Sequence, residues 1–479
     1  MYVTSTIRKA ARLLGLLSIL AVDLSLAQGV NSSLRAEITD GASIQRALDS
    51  HPGEIVHLPA GDYEISQPLT IAHDRSGLAG PGRIIQTNPD ATALTVSNGV
   101  GVQLRDITLT RPAGTEGNAP ALSVSACRGI VIDGVQILDN RSPGPAFLLE
   151  RCANGRVSNC LVRNYTAITV NDRTDNPLYG FAFRCLSGTG IDFRSCQGML
   201  VQANRVEEQI NLPTREFKEK FGLGKFTKKN ATKGSYTSQE TWDTELFPTW
   251  DQGTAIQVAD PEVSDRIQLL GNYIDNASQA IDIHGDHVIV ANNMVSNSAL
   301  GIKAMHGSRN IIISGNQFDK CSVHAILLQP GALSHTAGEP WQQGADPTTS
   351  PANNDGGSII ADNIISDFGY GDAGWVWGTE RDCICLEPGQ RPENPPLTDV
   401  IVTGNIVYDP GRDKILIDGK ATLAPPRYRY ALLIAGAVNV KVSNNILHPG
   451  SAGVSNVPLP NESLVNPIPN QGVTLDKKY

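Results

Sequence analysis

One short pattern recurs along most of this 479-residue chain and restricts its fold more than any other feature. A β-branched run leads into a small residue, then Asn, then another apolar residue two places on. It appears at Ile267–Ile274 (IQLLGNYI), Val288–Val295 (VIVANNMV), Ile311–Phe318 (IIISGNQF), Ile359–Ile365, Val400–Val407 and Val440–Leu447. Earlier copies stand at Ile130–Ile137 and Met199–Val206. Asn272, Asn293 and Asn316 are 21 and 23 residues apart, a period that marks a solenoid. Alternation within each run, between Gly, Asn and Ser turns, marks strands rather than helices.

Aligned, the copies give a column that starts apolar (Ile107, Val135, Cys160) and continues as Asn204, Asn272, Asn293, Asn316, Asn363, Asn405 and Asn445. An amide repeated in every coil can donate to the next coil and satisfy buried turn groups. A second strand follows each of these positions by about eight residues. It reads ALSV at Ala121, AFLL at Ala146, AITV at Ala167, GIDF at Gly190, AIQV at Ala255, AIDI at Ala280, GIKA at Gly301, AILL at Ala325 and CICL at Cys383. Its second residue should point inward and its third outward.

The segment Gly41–Ile71 (GASIQRALDSHPGEIVHLPAGDYEISQPLTI) resembles the entry to the right-handed parallel β-helices of the pectate-lyase superfamily. There a short helix caps the solenoid ahead of a first strand ending in a Pro-x-Gly-x-Tyr turn. The resemblance runs on to about Leu447. It implies an all-β, right-handed parallel β-helix with an N-terminal capping helix and long loop insertions, as one domain over 28–479 with coils at about 41–448. The superfamily holds lyases, hydrolases, epimerases and viral tailspikes, so the fold does not give the chemistry.

Ahead of this domain, Arg8, Lys9 and Arg12 precede an apolar run from Leu13 to Val22, and Ser25 and Ala27 suit signal cleavage. The run falls short of the roughly 20 residues that span a bilayer. Residues 1–27 are therefore expected to be a signal peptide, with the chain secreted or periplasmic and no membrane span. The net charge of −9 argues against a nucleic-acid partner, which would need a basic face. The eight cysteines include no pair at zinc spacing, and Cys127, Cys152 and Cys196 occupy equivalent positions as a stacked column of buried thiols.

The first outward position of the second strand reads, coil by coil, Ser123, Leu148, Thr169, Asp192, Gln257, Asp282, Lys303, Leu327 and Cys385. The next reads Ser125, Glu150, Asn171, Arg194, Ala259, His284, Met305, Gln329 and Glu387. Reactive side chains concentrate at the centre, with His306 in the turn beyond Lys303. Asp282, His284, Lys303, Asp192 and His306 are the candidate catalytic residues. Arg194, Gln257, Gln329 and Glu387 are candidates for binding substrate. Insertions at 207–252, 331–356 and 367–380 are expected to wall a groove over Asp282 and Lys303. They carry all five tryptophans, of which Trp250, Trp341 and Trp375 are candidates for stacking on sugar rings. The basic run Arg215–Lys233 offers a local guide for an anionic polymer.

These residue types suit a polysaccharide of uronic acids as substrate. Lys303 beside Asp282 should stay an ammonium and neutralise the uronate carboxylate, leaving His284 to take the proton next to it. Elimination or epimerisation would follow. Asp192 and Asp282 also form a candidate oxygen pair for calcium. Alternatively they could serve an inverting glycoside hydrolase, which needs carboxylates about 6.5–9.5 Å apart. The polygalacturonase pattern of the superfamily departs here: Gly301-Ile302-Lys303 replaces its Arg-Ile-Lys, and its adjacent Asp pair and Gly-His-Gly are missing. A non-catalytic surface or adhesive β-helix is the third reading.

Overall fold

The computed structural model describes residues 38–336, 353–369, 381–391, 393–408, 415–417, 420–422 and 426–459. The expected signal peptide, Trp341 and Trp375 lie outside the described residues, as do most of the 331–356 and 367–380 insertions. Among the described residues, no helix is long and apolar enough to cross a membrane.

The strands form three parallel sheets of twelve strands each. Each coil contributes one strand to each sheet, and the winding is right-handed. The first sheet runs from Ile55–His57 to Ala437–Ser443, the second from Asp62–Ile65 to Ile446–Leu447, and the third from Leu69–Ile71 to Gly453–Ser455. Neighbouring coils are stacked at the strand spacing of about 4.8 Å. The helix Gly41–Ser50 closes the first coil. Asp40 and Ser43 cap it reciprocally, and Ile44, Ala47 and Leu48 are buried beneath it. Tyr63 then fixes the expected Pro-x-Gly-x-Tyr turn by donating to the Pro59 carbonyl at 3.1 Å.

The inward column of the third sheet reads Ile191, Ile256, Ile281, Ile302, Ile326, Ile384 and Leu432, all fully buried. Each such side chain contributes about 1.5–3 kcal/mol by leaving water, which is why the register tolerates no one-residue slip. The asparagine ladder stands at the turn between the first and second sheets. Asn293 Nδ2 donates to the Leu269 carbonyl of the preceding coil and to Asn316 Oδ1 of the next, both at 2.9 Å. Its own Oδ1 accepts from the backbone N–H and the Nδ2 of Asn272. The same pattern repeats from Asn204 to Asn445.

One strand departs from the expected stack. Ala167–Asp172, read above as a coil strand carrying Thr169 and Asn171, instead pairs antiparallel with Phe181–Ser187. The stack passes directly from Pro145–Glu150 to Thr189–Arg194. Thr169 and Asn171 therefore lie outside the outward column. A two-residue alternation is the same in parallel and antiparallel strands, so the pattern could not separate them. Phe226–Lys229, from the 207–252 insertion, adds a third strand to this hairpin.

All eight cysteines are buried with free thiols.

Candidate active site

Parallel pairing sets the outward column of the third sheet as Leu148, Asp192, Gln257, Asp282, Lys303, Leu327, Cys385 and Leu433. The column is polar from Asp192 to Lys303. Beyond Lys303, Leu327, Cys385 and Leu433 form an apolar cluster with Tyr430 packed on it. The reactive stretch is thus bounded on one side.

Asp282 is the centre. His284 Nε2 lies 3.1 Å from its Oδ1, and Lys303 Nζ lies 3.2 Å from its Oδ2. Lys303 sits on the neighbouring strand directly opposite Asp282. His284 sits two residues along the same chain, on the same face. Burial works against the Asp282 charge, but the His284 imidazole and the Lys303 ammonium outweigh it and hold the carboxyl far below its usual range. The side chains of His284 and Lys303 each remain 14 % exposed, whereas that of Asp282 is 6 % exposed. The two bases therefore form the accessible edge of a buried carboxylate.

His306 joins this cluster edge-on, its ring centroid 4.5 Å from that of His284. Burial first, then the nearby His284 and Lys303, push its pKa down to about 3, so it is neutral. Its Nδ1 accepts a long hydrogen bond from the Leu333 N–H at 3.4 Å, which leaves the proton on Nε2. Gly331 lies against the same ring: a Cβ there would stand 1.9 Å from Nδ1. The turn after His306 is held from outside the coil. Asp355 accepts from the N–H groups of Gly307 and Ser308 at 3.0 Å, and Asn353 donates to the His306 carbonyl. Sequence reasoning placed His306 here but missed Leu333, Asn353 and Asp355, because nothing in a loop sequence signals where it returns to the coils.

Asp192 and Arg194 form a second unit. Asp192 is buried, and its Oδ2 is paired with Arg194 Nη2 at 2.7 Å. Burial raises the Asp192 carboxyl above its ordinary value despite Arg194. Gln257 stands between Asp192 and Asp282 in register. The calcium expectation does not fit: each candidate carboxylate is already neutralised by basic side chains, and the two are separated by an intervening coil. Gln329 and Glu387 lie farther along and bond each other, Nε2 to Oε2, at 3.2 Å.

The tryptophan expectation is overturned for Trp250. It is 1 % exposed and packs with Leu186 and Leu223 beneath the insertion. Trp242 packs against the aromatic cluster of Phe181 and Phe183, and Lys229 Nζ stands over its ring. These contacts hold the 207–252 insertion to the hairpin strand Phe181–Ser187. Replacing Trp250 by Ala is expected to expose that insertion to limited proteolysis before the coils are cut. If Trp250 instead bound sugar, the digestion pattern would not change. The same insertion carries a recess of about 550 Å³, rimmed by Arg215, Lys218 and Lys225 over Leu223 and Leu246.

No protein-family model matches the sequence, and no curated protein does. Solved structures do match its fold. An exopolygalacturonase from Thermotoga maritima is 11 % identical over 88 % of this chain and 90 % of its own, with a TM-score of 0.50. The chain has the right-handed parallel β-helix fold. Two further solved structures resemble it at lower TM-scores. The adhesin PfbA of Streptococcus pneumoniae is 12 % identical over 88 % of this chain and 97 % of its own, with a TM-score of 0.49. The A-module of the mannuronan C-5 epimerase AlgE6 of Azotobacter vinelandii is 14 % identical over 89 % and 98 %, with a TM-score of 0.45. At 11 % identity, the exopolygalacturonase shares the fold alone with this chain. The chemistry rests on the side chains of this chain.

Proposed function

We propose that this β-helix is an exported carbohydrate-active enzyme that abstracts the C5 proton of a uronic acid within an acidic polysaccharide. The observation that carries this reading is Asp282 held between His284 and Lys303 on the outward face of the third sheet. His284, with Nε2 3.1 Å from Asp282 Oδ1, stands at the outward edge of the cluster as the base for that proton. Lys303 supplies a cation for the substrate carboxylate, which makes C5–H more acidic. Neutral His306 packs on His284 without adding charge. In elimination, the C5–H pair becomes the C4–C5 double bond as the C4–O bond breaks. In epimerisation, a proton returns to C5 from the opposite face. Arg194, on the same outward face, suits a second carboxylate of the polymer.

A second reading, inverting hydrolysis, is favoured by one observation. Asp192 is raised and Asp282 is lowered, which are the opposite preferences of an acid and a base. Two coils separate them, so their backbones are about 10 Å apart, and side-chain lean would have to close the gap.

The test is incubation with pectate, alginate and glycosaminoglycans, following ultraviolet absorbance of the unsaturated uronate and the release of reducing ends. Rising absorbance, or a changed epimer ratio without cleavage, is the expected result. Reducing ends without absorbance mean hydrolysis. Binding with no chemistry across the panel means an adhesive β-helix.

A further inference from the structure

The basic run Arg215–Lys233 takes no part in the Asp282 cluster, yet it builds the recess of about 550 Å³ in the 207–252 insertion. One wall is the helix Arg215–Phe221. Gly222, in the left-handed region at φ +62°, ends that helix, and the Leu223 N–H donates back to the Lys218 carbonyl at 3.0 Å. This turn folds Leu223 back toward the helix. Gly224 then lets the chain approach Phe247 closely: a Cβ there would stand 2.6 Å from the Phe247 carbonyl oxygen. Lys225 pairs antiparallel with Leu246, which forms the second wall.

The recess has an apolar floor and a cationic rim. Leu223 and Leu246 make the floor together with the buried Trp250. Arg215, Lys218 and Lys225 stand around it with a single carboxylate, Glu219, which Arg215 holds at 2.9 Å. Lys218 Nζ lies over the Trp250 ring, 5.7 Å from its centroid. Among the described residues, neither Lys218 nor Lys225 has a carboxylate within salt-bridge distance. Burial lowers the Lys218 pKa from its ordinary value, as befits a half-buried cation short of a counterion. Two uncompensated ammonium groups beside an apolar floor stand out on a chain of net charge −9.

We propose that this recess is an accessory binding site for a uronate residue of an acidic polysaccharide. Lys218 and Lys225 take the carboxylate through charge-assisted hydrogen bonds, and the C–H face of the sugar ring lies on Leu223 and Leu246. A neutral sugar would leave both ammonium groups unpaired, and a small inorganic anion would leave the floor uncovered. The recess is tied to the reactive face through the chain. Trp250 packs on Leu186, six residues ahead of Asp192, a reach of at most about 22 Å in extended backbone. One polymer can therefore touch both places. The choice of sugar rests on the uronan reading of the Asp282 cluster, whereas the site itself rests on the recess.

The test follows leucine methyl resonances of the full chain during titration with oligogalacturonate, oligomannuronate and a neutral maltooligosaccharide. Leu223 and Leu246 report on the recess, and Leu327, beside Lys303 in the outward column, reports on the Asp282 cluster. One of the acidic oligomers should shift Leu223 and Leu246, and the neutral one should not. Lys218→Ala, and Lys225→Glu at an exposed position that folding tolerates, should each weaken that binding by roughly tenfold or more, the order of one charge-assisted hydrogen bond. Shifts at Leu223 and Leu246 without Leu327 support the accessory site and count against the Asp282 reading. Shifts at Leu327 alone keep that reading and overturn the accessory site. It is overturned equally if the neutral oligomer shifts Leu223 and Leu246 as much, or if both variants bind as the wild type does.

Discussion

Asp282→Asn should cost activity on the order of 10²–10⁴-fold, the range of a positioned acid–base group, while the β-helix remains folded. Among the described residues, this carboxylate is the only negative charge paired with His284 and Lys303. Without it, the Lys303 ammonium and His284 face each other with no carboxylate between them, and the imidazole loses its ionic neighbour. Removing one member of a buried ion group also costs about 3–5 kcal/mol, so circular dichroism and a denaturation midpoint must accompany the assay. The pH dependence follows in sign. The folded carboxyl lies below its ordinary value of 3.8. Its stabilisation is therefore fully present above that value and is lost only as pH falls through the lower folded pKa. Wild-type stability should carry no Asp282 transition between pH 4 and neutrality, by the linkage relation.

Asn293→Ala should lower stability by roughly 2–6 kcal/mol, the sum of two buried polar groups that lose a partner at about 1–3 kcal/mol each. The groups are identifiable. The Asn272 N–H loses Asn293 Oδ1 and the Leu269 carbonyl loses Asn293 Nδ2, while Asn272 Nδ2 keeps its bond to the Val201 carbonyl. Water cannot replace the lost partners, because Asn272 and Asn293 are each only 1 % exposed. A chemical denaturation curve measures the loss. A change within about 0.5 kcal/mol, as at an ordinary surface site, would mean that the ladder is incidental.

Much of this was legible in the sequence, for a physical reason. In a solenoid each coil's neighbours are its sequence neighbours one period away, so aligning repeats reads the register directly. That is how Asp192, Gln257, Asp282 and Lys303, spread over more than a hundred residues of chain, came to one column. The ladder was legible because one side chain recurs at one turn. What the repeat could not reveal lies in the insertions, which break the period. Ala167–Asp172 carries the right alternation yet pairs in a hairpin. Trp250 looks available for sugar until Leu186 and Leu223 are seen to bury it. The neutral state of His306 depends on burial of its turn, and that turn is held by Asn353 and Asp355. The contact of Cys385 with His324, at 2.8 Å, depends on a histidine just ahead of the strand motif, a position the repeat pattern does not define.

Proton nuclear magnetic resonance in deuterated water, on whichever uronan the chain modifies, bears most directly on the account. Abstraction at C5 predicts loss of the H5 signal with the wild-type chain and its retention with His284→Ala. New reducing ends accompanied by an intact H5 signal would contradict it.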